Sequence, residues 1–379
     1  MNIKCGCQIL EDASALEDLA DQWHDLATRA LPHAMCQTYE YCRAAVEVDL
    51  DLGCCIWLLT VRDGERLVGV WLIEAAKEGL VRFLWPLGSG GNDEYSGPLV
   101  QTDEAEQILG HIFGRVAELP GDVWQVFAVP EGSVIAGVLE ERRRAGRAEA
   151  PRPWVRYKLI FGAVKSWQDF LAGKSQNLRA KLRRDARRLG ERGVVERGWC
   201  RTVEDADTVI DWIFVHKNQW LHDRAFKAGR FFGGRVQRFF KVLARRVDLA
   251  TVPIVAFVKV DGVPIAACLN VVDESTIEYV MPALDPVWSH YAPGVLLVEF
   301  CAQTALGTGR DFDFRMLQAD YKDRWANRSE TVLTYTFPLS WRGRLYGIRR
   351  VIQSLRVRFG PWLRPIRRRI ARLQANWRE

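Results

Sequence analysis

The sequence predicts an α/β chain made of a duplicated unit, and three observations carry that expectation. Its 379 residues exceed the usual size of a single domain, so two are expected. Helical periodicity gives way to antiparallel-strand patterning twice, once in each half. Each strand block also holds an Asp-Gly hairpin at a similar place, "VRDGERLVGVWL" around Asp63-Gly64 and "KVDGVPIAACL" around Asp261-Gly262.

The elements follow from local pattern. Leu16, Leu19, Ala20, Trp23, Leu26 and Ala27 recur at helical spacing and predict an amphipathic helix over 12–29. "CCIWLLTVRDGERLVGVWLIEA" reads as two apolar strands around a turn. "RFLWPLGSGGNDEYSGPLV" is rich in glycine but lacks the G-x-x-x-x-G-K-[ST] arrangement of a phosphate loop, so an irregular loop lining a cleft is expected. A helix over 103–118, the strand "DVWQVFAV" and a helix over 133–145 come next. "RAGRAEAPRPWV" has the Pro and charge content of a domain junction. The second half opens on a strand near 155–161, then a basic helix, then helices over 204–222 and 234–246. "VPIVAFVKVDGVPIAACLNVVDESTIEYVMPAL" predicts three strands. "YAPGVLLVEFCAQTALGTG" predicts a helix with Pro-Gly at its start and glycines past its end. "RDFDFRML" is a further strand, and "DYKDRWANR" a short helix or loop.

Composition excludes several classes. A hydrophobic fraction of 48% and a charged fraction of 26% are ordinary for a globular protein with a sizeable core. The net charge of +6 is unevenly spread: Trp341 to Glu379 carry twelve Arg and one acid, 12 − 1 = +11, which leaves 6 − 11 = −5 for the first 340 residues. A protein that coats nucleic acid would not be acidic over most of its length, so no sequence-specific nucleic-acid partner is expected. The nine cysteines are scattered without a C-x-x-C and partner His, so no metal site is expected, and the thiols read as reduced and cytoplasmic. The acidic N-terminal stretch has no apolar core of a secretory signal, and no apolar run reaches the ~18 residues of a spanning helix.

Eight basic side chains lie between Lys174 and Arg192, opposed only by Asp185 and Glu191. Within "SQNLRAKLRRDARRLGERG", Leu178, Leu182, Ala186 and Leu189 trace the stripe expected to pack, and Arg179, Arg183 and Arg187 share one exposed edge. That edge either holds an anionic ligand or faces water.

This stretch, together with "VKVDGVPIAACL", "YVMPALDPVWSHYAPGVLLVEF" and "FDFRMLQADYKDRW", resembles the GNAT-superfamily acyltransferases of the cellulose-biosynthesis type (CelD/BcsL-like), relatives of the FemAB peptidoglycan aminoacyl transferases. The resemblance spans roughly residues 10 to 340. It implies tandem GNAT-like folds over 1–150 and 151–340, each a mixed, mostly antiparallel sheet flanked by helices, followed by a basic helical tail over 341–379. It also implies acyl transfer from a thioester, usually acetyl-CoA, onto an amine or hydroxyl, with a sugar acceptor of an exopolysaccharide or envelope pathway. In such a fold "TIEYVM" and the helix after "APG" splay to admit the donor, and after Pro293 at the helix start the N–H groups of Gly294, Val295 and Leu296 are offered to its pyrophosphate. The superfamily loop Gln/Arg-x-x-Gly-x-Gly/Ala keeps only one glycine here, in "SHYAPGV", which leaves aminoacyl-tRNA open as donor.

Amine acylation needs a base, an oxyanion donor and an acid for the leaving thiolate. A backbone N–H near Val280 and Met281 is the expected oxyanion donor, and Glu278 on the same strand is the candidate base, or a solvated strand residue. Tyr321 is the candidate acid, or a packed Tyr. Asp320 and Lys322 flank it and are expected to position the acceptor, while Asp313 is expected to orient a loop. His216, Lys217 and Trp220 in "HKNQW" are further catalytic or acceptor-binding candidates, or packing residues of a helix that also carries Trp212. The tail places Leu345, Ile348, Ile352, Leu355 and Phe359 on one stripe with Arg on the other faces. That pattern fits a helix lying in the cytoplasmic face of the inner membrane, or one packed back on the protein, and its Arg cluster also suits a cyclic dinucleotide effector. The function expected is an acetyl-CoA-dependent N-acetyltransferase acting on an amino sugar or polysaccharide precursor; a FemAB-like aminoacyl-tRNA-dependent transferase and a non-catalytic ligand-sensing module are the alternatives.

Overall fold

The structure is a computed structural model that describes residues 3–88, 95–146, 148–223, 234–316 and 319–348. The first half comprises β1 (Ile3–Leu10), a 3-10 turn (Ala13–Leu19) running into α1 (Ala20–Thr28), α2 (Tyr39–Asp51), β2 (Cys55–Asp63), β3 (Arg66–Glu78), β4 (Val81–Pro86), β5 (Leu99–Val100), α3 (Ala105–Val116), β6 (Val123–Pro130) and α4 (Val134–Gly146). The second comprises β7 (Arg152–Leu159), α5 (Trp167–Ala172), α6 (Gln176–Gly190), β8 (Val195–Trp199), α7 (Val203–Asp223), α8 (Arg235–Arg246), β9 (Val255–Val260), β10 (Val263–Val272), β11 (Thr276–Leu284), α9 (Pro293–Gly307), β12 (Asp311–Met316), α10 (Asp320–Trp325) and β13 (Arg328–Pro338).

One topology occurs twice. A strand, two helices, three antiparallel strands, a helix and a strand parallel to the third form β1 to β6, and the same series forms β8 to β12. The two Asp-Gly hairpins join equivalent strands, β2 to β3 and β9 to β10. The sheet order β1-β2-β3-β4-β6-β13-β7-β12-β11-β10-β9-β8 is therefore nearly a mirror about its centre, where β13 pairs antiparallel with β6 on one side and β7 on the other. The chain is a mixed α/β structure whose single sheet is flanked by helices.

Period-two side chains send alternate strand residues to opposite faces, and the helices cover both. One apolar core, with Trp23, Leu26, Val46, Ile213, Phe240 and Leu269, is built from both halves. There α2 packs on α8, and acids of the first meet arginines of the second: Asp51 meets Arg238, and Arg246 bonds Glu47 at 2.5 Å. Arg235 reaches furthest in, donating to the buried carboxylates of Asp49 and, at 2.8 Å, Glu74 of β3. On the opposite face α9, buried nearly all round by Leu296, Leu297, Val298, Cys301 and Ala302, lies over β9 to β12 with α6 beside it.

Several sequence expectations shift. "RFLWP" is strand β4, not loop; of the glycine-rich segment after it, 89–94 lie outside the described residues. In α6, Ala186 is exposed and Asp185 occupies the buried position, held by Lys181 Nζ at 2.5 Å. The strand placed near 155–161 begins earlier, at Arg152. Strands β1, β5, β8 and β13 and helices α2 and α5 have no counterpart among the elements the sequence predicts.

Replacing Arg235 by Met strips the guanidinium from two carboxylates that stay buried. The expected loss is about 3–5 kcal/mol of unfolding free energy, read from urea denaturation at neutral pH; a loss within error would show that the cluster does not hold the halves together.

Candidate functional site

Strands β11 and β12 run parallel for three residue pairs only, Thr276 with Asp311, Ile277 with Phe312 and Glu278 with Asp313, and then diverge. Two irregularities open the gap. Val280 is the extra residue of a bulge in β11, between Tyr279 opposite Asn270 and Met281 opposite Leu269. In β12 the ladder to β7 breaks between Asp313 and Met316, and Arg315 takes a left-handed backbone at φ 63°. Asp313 Oδ1 accepts the Arg315 N–H at 2.6 Å and fixes that turn.

Glu278 and Asp313 therefore stand side by side at the apex of the divergence, on one face of the sheet. They belong to a cleft of about 210 Å³ that both halves line: Gln37, Tyr95 and Phe127–Pro130 from the first, Arg156, Lys158, Thr276, Glu278 and Asp313 from the second. Both carboxyls are buried. Arg315 Nε lies 3.7 Å from Glu278 Oε2, and Arg156 Nε 3.8 Å from Asp313 Oδ2. Arg156 is in turn held by Glu330 of β13 at 2.8 Å and stacks over Tyr95, 4.9 Å from the ring centroid. Burial pushes the Glu278 carboxyl well above the usual range, Arg315 opposes the rise, and the Asp313 charge adds to it. Burial likewise raises Asp313, against Arg156 and Lys158. A carboxylate with a raised pKa beside a cleft is suited to take a proton near neutral pH.

The other face carries Tyr279 of β11 and Phe312 and Phe314 of β12, with Cys268 of β10, in the core beneath α9. Tyr321 packs there, edge-on to Phe314 at 6.0 Å, and burial pushes its hydroxyl up to about 12, so it keeps its proton at neutral pH. Glu278 and Tyr321 thus flank the diverging strands from opposite faces. Asn270, opposite the bulge, is fully buried with its Oδ1 lacking a hydrogen-bond partner.

Helix α9 starts at Pro293 after Ala292 in a left-handed conformation; no side chain caps it, and no acid lies in its first turn. The Val295 N–H donates to the Ala292 carbonyl at 3.0 Å, which leaves the Gly294 N–H at the helix start, and Leu284 lies so near Gly294 that a β-carbon there would approach its methyl to 3.1 Å. Two arginines approach this end of the helix. Arg192 Nε donates to the Tyr291 hydroxyl, and Arg188 lies over the Tyr291 ring at 5.5 Å. These are not the arginines singled out from sequence. Arg179 and Arg183 line a separate groove of about 400 Å³ with Leu182, Arg197 and Glu299, on the α6 side of the sheet, and Arg187 is exposed and pairs with Glu191 at 3.6 Å. Helical spacing puts Arg179, Arg183 and Arg187 on one edge, but only packing shows that the next edge faces α9.

The remaining candidates lie elsewhere. His216 stacks on Trp212 at 4.0 Å with Nδ1 3.0 Å from the Trp212 carbonyl, and Lys217 Nζ sits 4.6 Å from the Trp220 ring. None of the three lines the cleft. Lys322 is buried and donates to the Met316 carbonyl at 2.6 Å, bracing the end of β12, whereas Asp320 is exposed. Met281 is buried in the shared core. Asp313, expected only to orient a loop, does fix the Arg315 turn and also lies in the cleft. Arg156, Lys158 and Tyr95 were missed; "RPWVRYKL" alternates Arg156 and Lys158 on one strand face, the one signal available. Among the described residues no cluster of His, Cys, Asp or Glu could hold a metal ion.

Residues 176–323 match the family model described as an acetyltransferase (GNAT) domain. No curated protein matches the sequence. Among solved structures, a protein of unknown function from Bacteroides thetaiotaomicron VPI-5482 superposes with a TM-score of 0.55 at 10% identity, over 87% of this chain and all 100% of that one. The C-terminal domain of a proposed lysylphosphatidylglycerol synthetase from Agrobacterium fabrum gives 0.54 at 11%, over 89% and 96%. FemX gives 0.50 at 12%, over 87% and 98%. At such identities the likeness speaks for the fold. The match to the acetyltransferase (GNAT) domain model falls within the second unit, and the α/β topology found there occurs a second time in the first.

Because Glu278 and Asp313 hold their protons to higher pH in the folded chain than in the unfolded one, their share of stability is full below an unfolded pKa of about 4 and is lost as pH rises through the folded values. Glu278→Gln should therefore gain stability relative to wild type between pH 5 and pH 8, measured by urea denaturation. Parallel stability profiles over that range would mean that the carboxyl ionises as freely as in water.

Proposed function

We propose that this protein is an acyltransferase that passes an acyl group from an acyl-CoA, acetyl-CoA first among them, to the amine of an amino sugar or of an exopolysaccharide or envelope precursor at the cytoplasmic membrane face, as in enzymes of the CelD/BcsL-like type. The observation that carries this reading is the buried Glu278 carboxyl, its pKa raised, at the apex of the diverging β11 and β12 in a GNAT-type domain. The acceptor enters the two-sided cleft, where Glu278 takes a proton from its amine. The nitrogen forms its bond to the thioester carbonyl carbon, and the oxyanion that develops is met by backbone N–H near the Val280 bulge. The carbon–sulfur bond then breaks, and Tyr321, still protonated, supplies a proton to the thiolate from the other face. Arg156 and Lys158 suit an acceptor that carries negative charge, such as a sugar phosphate. The first turn of α9, with Arg188 and Arg192 nearby, suits the donor's pyrophosphate.

Acetyl-CoA should protect the protein against thermal unfolding; protection by aminoacyl-tRNA and not by acetyl-CoA would overturn the donor. In an acetyl-CoA turnover assay over a panel of amino sugars and their phosphates, Glu278→Gln should lower kcat by about 10²–10⁴-fold while donor protection persists. Tyr321→Phe should keep donor binding and lower kcat with an altered alkaline limb. Unchanged turnover in the Glu278 variant would remove it as the base.

A further inference from the structure

Where β4 begins and β13 ends, the molecule carries apolar side chains turned to solvent among cations. The β3–β4 hairpin tip holds Leu80, 83% exposed. Leu80 shares a depression of about 300 Å³ with Lys77, Arg82, Asp122 and Arg342, so hairpin and C-terminal segment form one surface.

The segment after β13 is tied there. Ser340 Oγ donates to Asp122 Oδ1 at 2.5 Å, and the Leu339 N–H to the Asp122 carbonyl at 2.8 Å. Residues 341–348 are helical. Gly343 faces inward, so near the Asp122 carbonyl that a β-carbon would lie 1.9 Å from it, and Tyr346 packs edge-on against Phe83 at 5.1 Å. With that side fixed, helical spacing turns Trp341, Leu345 and Ile348 outward together, 66%, 54% and 55% exposed. Arg342 and Arg344 flank them. The described start of the tail therefore does not bury its apolar stripe on the protein. Asp122 is engaged with Ser340 and the Arg82 N–H, which leaves two exposed acids nearby: Glu78 beside Lys77 and Arg82, and Glu149, whose Oε1 would lie 3.2 Å from a β-carbon on Gly347.

We propose that this surface, the hairpin tip around Leu80 together with the helix from Trp341, docks on an anionic lipid bilayer. Leu80, Trp341, Leu345 and Ile348 enter the interface, and Lys77, Arg82, Arg342 and Arg344 meet the lipid phosphates. Apolar residues with flanking cations are what an in-plane contact uses. A nucleic acid offers the phosphates, and a base can stack on Trp341, but it offers nothing for the aliphatic side chains of Leu80, Leu345 and Ile348. Beyond this helix the sequence adds ten more Arg, the twelve from Trp341 onward less Arg342 and Arg344, against the acid Glu379. This deepens the membrane placement proposed above and is independent of the acyl chemistry.

The test is co-sedimentation of the full-length chain with vesicles of equimolar phosphatidylglycerol and phosphatidylcholine, against phosphatidylcholine alone, without acyl donor. Binding to the anionic vesicles alone is expected. Leu80→Asp, Trp341→Asp and the pair Lys77→Glu with Arg82→Glu should each weaken it about fivefold or more, with unchanged circular-dichroism melting. If the hairpin variants bind as wild type while Trp341→Asp does not, the docking surface proposed here fails, although tail-mediated membrane binding stands. Absence of binding to anionic vesicles, or binding abolished by tRNA in preference to lipid, overturns both; acetyl-CoA turnover in solution is read separately.

Discussion

Strand β13 holds the molecule together by giving each edge of its backbone to a different half. Its residues Val332 to Pro338 pair with Pro130 to Val123 of β6, and Arg328 to Thr334 pair with Lys158 to Arg152 of β7. Without it β6 and β7 would each present unpaired N–H and C=O groups at the middle of the sheet. With it, the end of β6, Phe127 to Pro130, lines the cleft at the apex of β11 and β12, and Glu330 is positioned to hold Arg156. The cleft exists because two repeated units share one strand. The Arg235 cluster and the α2–α8 ion pairs secure the same junction from the helical side.

The two units share a topology but not a chemistry. Both have a helix entered through a left-handed residue, Glu104 before α3 and Ala292 before α9. In the first unit Glu104 and Glu106 put negative charge at the helix start, which repels a phosphate; in the second, no acid lies in the first turn of α9. The strand gap of the first unit is also filled. Trp85 of β4 donates to Gln125 of β6 at 3.0 Å, and Trp124 stacks on Phe337 of β13 at 4.6 Å. At the corresponding place in the second unit are the bulge at Val280 and the buried acids. The first unit supplies one wall of the cleft, and the second its buried acids.

Within that machinery, buried charge is held in a specific arrangement. Glu278, Asp313, Arg315 and Arg156 are each costly to bury alone, and their separations of 3.7 and 3.8 Å are ion-pair distances longer than direct hydrogen bonds. Neither acid is locked in a tight bidentate pair, so burial prevails over attraction and both carboxyls hold their protons more firmly. The left-handed Arg315 is the backbone cost of aiming a guanidinium at Glu278 from a strand that must also turn away from β11.

Much of this was legible in the sequence. Periodicity gave most helices, the Asp-Gly pairs marked both hairpins and thereby the repeat, and Pro293-Gly294 marked the start of α9. Glu278 could be named because the strand "TIEYVM" could be named. Other parts escaped for physical reasons. Strand β13 is defined by pairing with partners far away in the chain, and "RSETVLTYTFP" alternates without a hairpin turn to declare it. Asp185 reads as a polar interruption of an amphipathic stripe until Lys181 is seen to satisfy it. The sequence by itself determined the local elements, the duplication and the basic ending, because these depend on neighbours a few residues apart. Only the tertiary structure decided that Arg156, Glu278 and Asp313 meet, that Arg188 and Arg192 approach α9, and that Leu80 joins Trp341, because each depends on residues brought together by a sheet whose two halves are joined through β13.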